Sequence, residues 1–92
     1  MEPLCTYCDI PGKEKKIGTG MTLGDCKLKC VDDPNCKSIE FGKGGRDGEC
    51  YFNYERGSYI KQHDHFDAWG KKSQCGSLLH GNFKLYRKNQ CQ

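Results

Sequence analysis

Eight cysteines in a chain of 92 residues carry most of the chemistry this sequence could do. The stretch "MTLGDCKLKCVDDPNCKSIEF", residues 21 to 41, holds Cys26, Cys30 and Cys36. Cys5 and Cys8 form a C-x2-C pair, and Cys50, Cys75 and Cys91 stand apart. Thiols in such numbers hold zinc, exchange electrons or form staples. A redox pair needs the N-terminus of a helix in a βαβ unit, where the first thiol loses its proton easily. Cys5 and Cys8 instead lie between Pro3 and Pro11. Zinc needs four ligands at recognisable spacing, and Cys26-x3-Cys30 followed by x5-Cys36 does not supply it. Structural disulfides fit best, since this density marks scaffolds made in an oxidising compartment. The even count suits four bridges, although eight cysteines allow 105 pairings.

Other chemistry is thinly represented. "HDHFD", residues 63 to 67, places His63 and His65 on one face if extended, which would suit chelation. The segment is polar and leads into a strand, so these side chains are expected to be solvated, and no metal or cofactor is expected. No G-x-S-x-G, Walker loop or paired-carboxylate motif is present, so no catalytic residue is assigned and the chain is not expected to be an enzyme. "GKGGRDG", residues 42 to 48, has strands on both sides, whereas a phosphate loop opens a helix. It reads as a hairpin loop whose Lys43 and Arg46 could touch a ligand at the tip.

Binding residues are easier to nominate. Lys71, Lys72, Lys84, Arg87 and Lys88 fall in the last two expected strands, and Lys13, Lys15 and Lys16 could join them. Such a patch suits a sulfated glycan or an acidic protein surface. The plainer reading is solvated strand edges, where lysine also blocks edge-to-edge aggregation. Among the aromatics gathered between residues 51 and 69, Tyr51 should face away from Phe52 and Tyr54. Tyr51 and Trp69 are the candidates to stack on a sugar or anchor a protein.

The elements that must position these residues can be read from the same chain. Residues 1–14 look irregular, and "KKIGTG" (15–20) is a short strand. Thr22-x-x-Asp25 has the form of a helix N-cap with an acidic residue three positions on. Leu23, Cys26 and Cys30 share a helical face, and Asp33-Pro34 ends the helix, which therefore spans 22–32. Residues 36–41 alternate, with Cys36, Ser38 and Glu40 opposite Lys37, Ile39 and Phe41. Residues 49–54 return with Cys50, Phe52 and Tyr54 on one face. Residues 55–65 form a loop, and strands are expected at 66–72 and 81–91.

Composition sets the class. A single domain of this length buries only roughly 60–65% of its unfolded surface, and 35% hydrophobic residues make a thin core. The net charge of +3, from 15 Lys+Arg against 12 Asp+Glu, does not call for nucleic acid. No stretch is apolar enough to insert in a membrane. Met1 is followed by Glu2, Pro3 and Leu4 rather than by an apolar leader, so the sequence reads as a mature or excised segment of a secreted protein.

Thr22-Leu23, Cys26-x3-Cys30, Pro34-Asn35-Cys36, Ile39-Glu40-Phe41 and Glu49-Cys50-Tyr51 together resemble the PAN/apple family. "FDAWGKKSQC" is similar to that family's closing strand. The likeness covers about residues 8–75 of a single domain, 1–92, and leaves 76–92 as a C-terminal strand extension; the family lacks both this tail and the extra cysteine pair. The resemblance implies an α+β, disulfide-rich fold with one helix packed on a curved, mostly antiparallel sheet. It also implies Cys26–Cys50 and Cys30–Cys36 bridges. Cysteines at i and i+4 face the same way, so each can reach a sheet beneath the helix, whereas their near-parallel Cβ vectors disfavour a bond between them. Joining first strand to last, as the family does, pairs Cys8 with Cys75 and Cys5 with Cys91, or the reverse. The family implies a secreted, non-catalytic recognition or adhesion module for an extracellular carbohydrate or protein. The alternative is a structural or assembly unit of a matrix or multi-domain protein. The oligomeric state is left open.

Overall fold

The computed structural model describes residues 1–55 and 60–71. Within them lie seven strands and one α-helix: β1 (Glu2–Cys5), β2 (Cys8–Asp9), β3 (Glu14–Gly18), α1 (Leu23–Asp32), β4 (Ser38–Gly42), β5 (Cys50–Asn53), β6 (Lys61–Gln62) and β7 (Phe66–Gly70). A 3₁₀ turn, Gly44–Arg46, sits between β4 and β5. The larger sheet runs β1-β7-β4-β5-β3, and β2 pairs with β6 as a separate ribbon. Every pairing among these strands is antiparallel. The α+β, disulfide-rich architecture matches the expected class.

Helix α1 starts where Thr22 supplies a cap: its Oγ1 accepts a hydrogen bond from the Asp25 N–H at 3.1 Å. The cap satisfies one of the orphan donors of the first turn, and the Asp25 carboxylate lies at the positive end of the helix dipole. The helix stops at Asp33, which precedes Pro34 and is extended. Asp33 then organises the exit, since its Oδ1 accepts from Asn35 N–H at 2.9 Å and its carbonyl from Cys36 N–H at 3.0 Å.

The two faces of the sheet bury different cores. Toward the helix lie Cys26, Cys30, Cys36, Ile39, Cys50 and Phe52, with Phe41, Tyr54 and Trp69 packed around them. On this side the helix is stapled by Cys26–Cys50 and Cys30–Cys36, the pairs that the resemblance implies. By loop-closure entropy these bridges, separated by 24 and 6 residues, contribute about 3.5 and about 2 kcal/mol, which matters for so thin a core. A second cluster is formed by Leu4, Cys5, Cys8, Ile10, Ile60 and Ala68. It draws β1 and the β2–β6 ribbon, which packs on β7, onto the molecule.

Two expectations require correction. Residues 1–14 and 55–65, read as irregular, contain β1, β2 and β6. Pro3 is tolerated because β1 is an edge strand with only β7 beside it. The bridge of the N-terminal pair is Cys5–Cys8, not Cys8–Cys75 with Cys5–Cys91 or the swapped arrangement. The chain reverses through Tyr7, in the left-handed region at φ 50°, and brings the two Cα atoms to 6.0 Å with both side chains buried. The Tyr7 N–H donates to Asp67 Oδ1 at 2.8 Å, and its carbonyl accepts from His63 N–H at 2.9 Å. Cys75 and Cys91, the strand at 81–91 and the 76–92 extension lie outside the described residues.

Candidate functional site

Strand alternation sends Glu40 of β4 and Tyr51 of β5 to the sheet face turned away from the helix. They are register partners, and Glu40 is also opposite Ala68 of β7. Around them the fold gathers Asp9 from β2, Glu14 from β3, Arg46 from the 3₁₀ turn, His63 after β6 and Phe66 from β7. These seven residues line a cleft of about 130 Å³.

Its floor is acidic. Carboxylate oxygens of Asp9, Glu14 and Glu40 all lie within 4.8 Å of one another. Glu40 is only 3% exposed. Its Oε2 and Asp9 Oδ1 are buried with no donor facing them. Burial pushes the Glu40 carboxyl up to about 10, reinforced by the hydrogen bond to Asp9 and by the Asp9 charge. At neutral pH Glu40 is therefore a carboxylic acid, and its proton supplies the donor that the pair lacks. Glu14 is also raised, by burial first and then by the charge of Asp9.

The walls are aromatic and cationic. Tyr51 and His63 each meet Phe66 edge to face, with ring centroids 5.4 and 4.9 Å away. Arg46 lies 5.1 Å from the Phe66 centroid. Its guanidinium forks onto Glu49, the shortest contact 2.9 Å, and Tyr51 Oη donates to Glu49 Oε1 at 3.0 Å. That guanidinium, ahead of the tyrosine hydrogen bond, holds the Glu49 carboxyl below its ordinary range. His63 Nδ1 accepts the His65 N–H at 3.1 Å, which leaves Nε2 as the protonated nitrogen of the neutral ring. Glycine at 42 makes this wall possible. A Cβ there would stand 1.9 Å from the Arg46 carbonyl oxygen, so only glycine lets the 3₁₀ turn lie this close.

The residues nominated from sequence are not brought together as one surface. Tyr51 lines the cleft, whereas Trp69 pairs with Ile39 on the opposite face and carries Lys27 Nζ at 5.1 Å from its ring centroid. Lys71 Nζ donates to the Asp33 carbonyl at 2.7 Å and so ties the end of β7 to the end of the helix. Lys72, Lys84, Arg87 and Lys88 lie outside the described residues. At the hairpin, Lys43 is engaged by Asp67 at 2.6 Å and by the Tyr7 ring, while Arg46 reaches the cleft. His63 and His65 are separated by a turn rather than aligned on a strand. The floor residues Asp9, Glu14 and Glu40 were missed. The one available signal was Glu40 itself, a carboxylate in the middle of a short strand that sits between two cysteines in sequence.

The arrangement offers hydrogen-bond acceptors, donors and apolar ring edges in one small concavity. No described helix is long and apolar enough to cross a membrane. No curated protein and no solved structure matches the chain. The family model of the PAN domain matches residues 8–91, running past residue 75 to Cys91. Its members are protein- and carbohydrate-interaction modules, generally non-catalytic and typical of extracellular proteins. With nearly its whole length matched, and with the helix, antiparallel sheet and staples described above, the chain belongs to the PAN domain family.

Proposed function

We propose that this domain is a secreted, non-catalytic recognition module that binds a carbohydrate, with the Glu40–Tyr51 cleft as its contact site. The observation that carries this reading is the meeting of acceptors and aromatic rings in that cleft. Sugar hydroxyls donate well to carboxylates, and the apolar face of a sugar ring packs on an aromatic side chain. Glu14 and Asp9 supply acceptors and Tyr51 supplies the ring, while the buried Glu40 and Phe66 back them from beneath.

The acidic floor favours a neutral sugar. A sulfated chain would instead need the basic set Lys71, Lys72, Lys84, Arg87 and Lys88. Salt separates the two, because binding through exposed lysines weakens steeply with ionic strength. The test is a glycan array, sulfated chains included, probed with the fully oxidised protein at low and high salt. A neutral glycan retained at high salt is expected. A hit on sulfated chains alone moves the site to the basic residues, and a blank array moves the ligand to a protein.

A structural or assembly role is supported by a different observation. Leu28 and Val31, three apart on α1, are 63% and 53% exposed. An apolar pair on the outer helix face suits a protein contact, and a mass that rises with concentration in light scattering would favour that role.

A further inference from the structure

The geometry points to a divalent cation site of the calcium class at the floor of the cleft, formed by Asp9, Glu14 and Glu40. One oxygen from each carboxylate lies within 4.8 Å of the others. Three oxygens about 4.8 Å from one another would each stand about 2.8 Å from their common centre, and Ca²⁺ binds oxygen at about 2.3–2.6 Å, so shifts of a few tenths of an ångström let the three share a single ion.

A cluster of acids alone would not carry this. The second observation is the buried, unsatisfied state of two of them. Glu40 is 3% exposed, and both its Oε2 and Asp9 Oδ1 face no donor. The Glu40 proton fills the space between them when no ion is bound, so a bound cation displaces that proton to solvent. The cation in the cleft wall does not fill that space, because Arg46 is spent on Glu49.

The donor set selects the ion. It is all carboxylate oxygen, which suits hard cations. His63 lines the same cleft, but its Nδ1 is occupied by the His65 N–H, and no ring nitrogen belongs to the three-ligand group. Glu14 is exposed, giving the ion an entrance and leaving its outer side to water. Calcium tolerates that irregular, partly hydrated shell, whereas Mg²⁺ demands a near-ideal octahedron. Three carboxylates with an open side resemble the weak sites of extracellular modules, at about 10⁻⁴–10⁻³ M. This site does not depend on the ligand being a carbohydrate.

The experiment is a titration of the oxidised, chelator-treated full chain with CaCl₂ by calorimetry. A parallel titration with Tb³⁺ uses luminescence excited through Tyr51, whose ring lines the cleft. The expected result is one site of about 10⁻⁴–10⁻³ M. Glu40→Gln and Asp9→Asn should each weaken it about ten-fold or more, and Asp32→Asn, on the exposed end of the helix, should leave it unchanged. Glu40→Gln keeps the shape of the protonated acid, and circular dichroism verifies the fold of each variant. If one variant fails to fold, the other decides. No binding by the wild type up to about 10 mM Ca²⁺, or binding unaltered in the folded variants, overturns the assignment. A blank glycan array leaves this titration untouched, and a flat titration leaves the array untouched, so each reading fails on its own.

Discussion

Glu40 and Tyr51 stand directly opposite each other on β4 and β5, on the sheet face that the helix does not cover. One is buried and the other half-exposed. A carboxyl group at the centre of a five-stranded sheet is costly unless it is neutralised, and its persistence here ties the cleft to the fold.

Stability in chelator should fall as pH rises. The Glu40 carboxyl, near 4.5 unfolded, titrates at about 10 in the fold. Between those values the native state holds a proton that the unfolded chain has lost. Each pH unit in that window therefore subtracts from the unfolding free energy. Between pH 5 and pH 8 the loss is on the order of 2–4 kcal/mol. Urea unfolding at both pH values measures it, and Glu40→Gln should flatten the dependence. A wild-type stability that rises over this range contradicts a protonated Glu40.

Removing the helix cap should weaken the domain modestly. Thr22→Ala deletes the oxygen that receives the Asp25 N–H and should cost about 1 kcal/mol. Thr22→Ser should restore most of it. Thermal melts of the three proteins provide the comparison, and equal melting temperatures for wild type and Thr22→Ala would show that the cap is not used.

Filling the glycine contact at the turn should be more damaging. Gly42→Ala places a methyl group on the Arg46 carbonyl and should cost about 1–3 kcal/mol through displacement of the turn. Because Arg46 holds Glu49 and Tyr51, the same change should alter the near-ultraviolet tyrosine signal. An unchanged spectrum and stability would mean that the turn sits farther from β4 than described.

Peptide mapping of the unreduced protein should find Cys5 and Cys8 joined in one short fragment. Cys26–Cys50 and Cys30–Cys36 should appear as the other assigned links. Recovery of Cys8 linked to Cys75 or Cys91 would overturn the N-terminal bridge.

The helix and its hairpin were legible because their determinants are local. Thr22, the one-face spacing of Cys26 and Cys30, and Asp33-Pro34 fix the start, the face and the end of α1 within a dozen positions. Alternation likewise placed Tyr51 away from Phe52. The cleft was not legible, because Asp9, Glu14, Glu40 and His63 come from four separate segments that meet only through β3–β5 pairing and the β2–β6 ribbon. That ribbon has two residues per strand, too few for periodicity to reveal. Trp69 and Tyr51 looked alike as exposed aromatics, but the parity of their positions in paired strands sends them to opposite faces. The N-terminal bridge was missed because the left-handed turn at Tyr7 that closes it has no glycine to announce it.

Amide chemical-shift mapping locates the ligand on the fold. The oxidised, isotope-labelled chain is titrated with the neutral glycan selected on the array. Shifts should concentrate at Asp9, Glu14, Glu40, Arg46, Tyr51, His63 and Phe66 and disappear in Tyr51→Ala. Shifts centred instead on Trp69, Lys27 and Lys71, or identical shifts in Tyr51→Ala, would contradict the cleft as the recognition site.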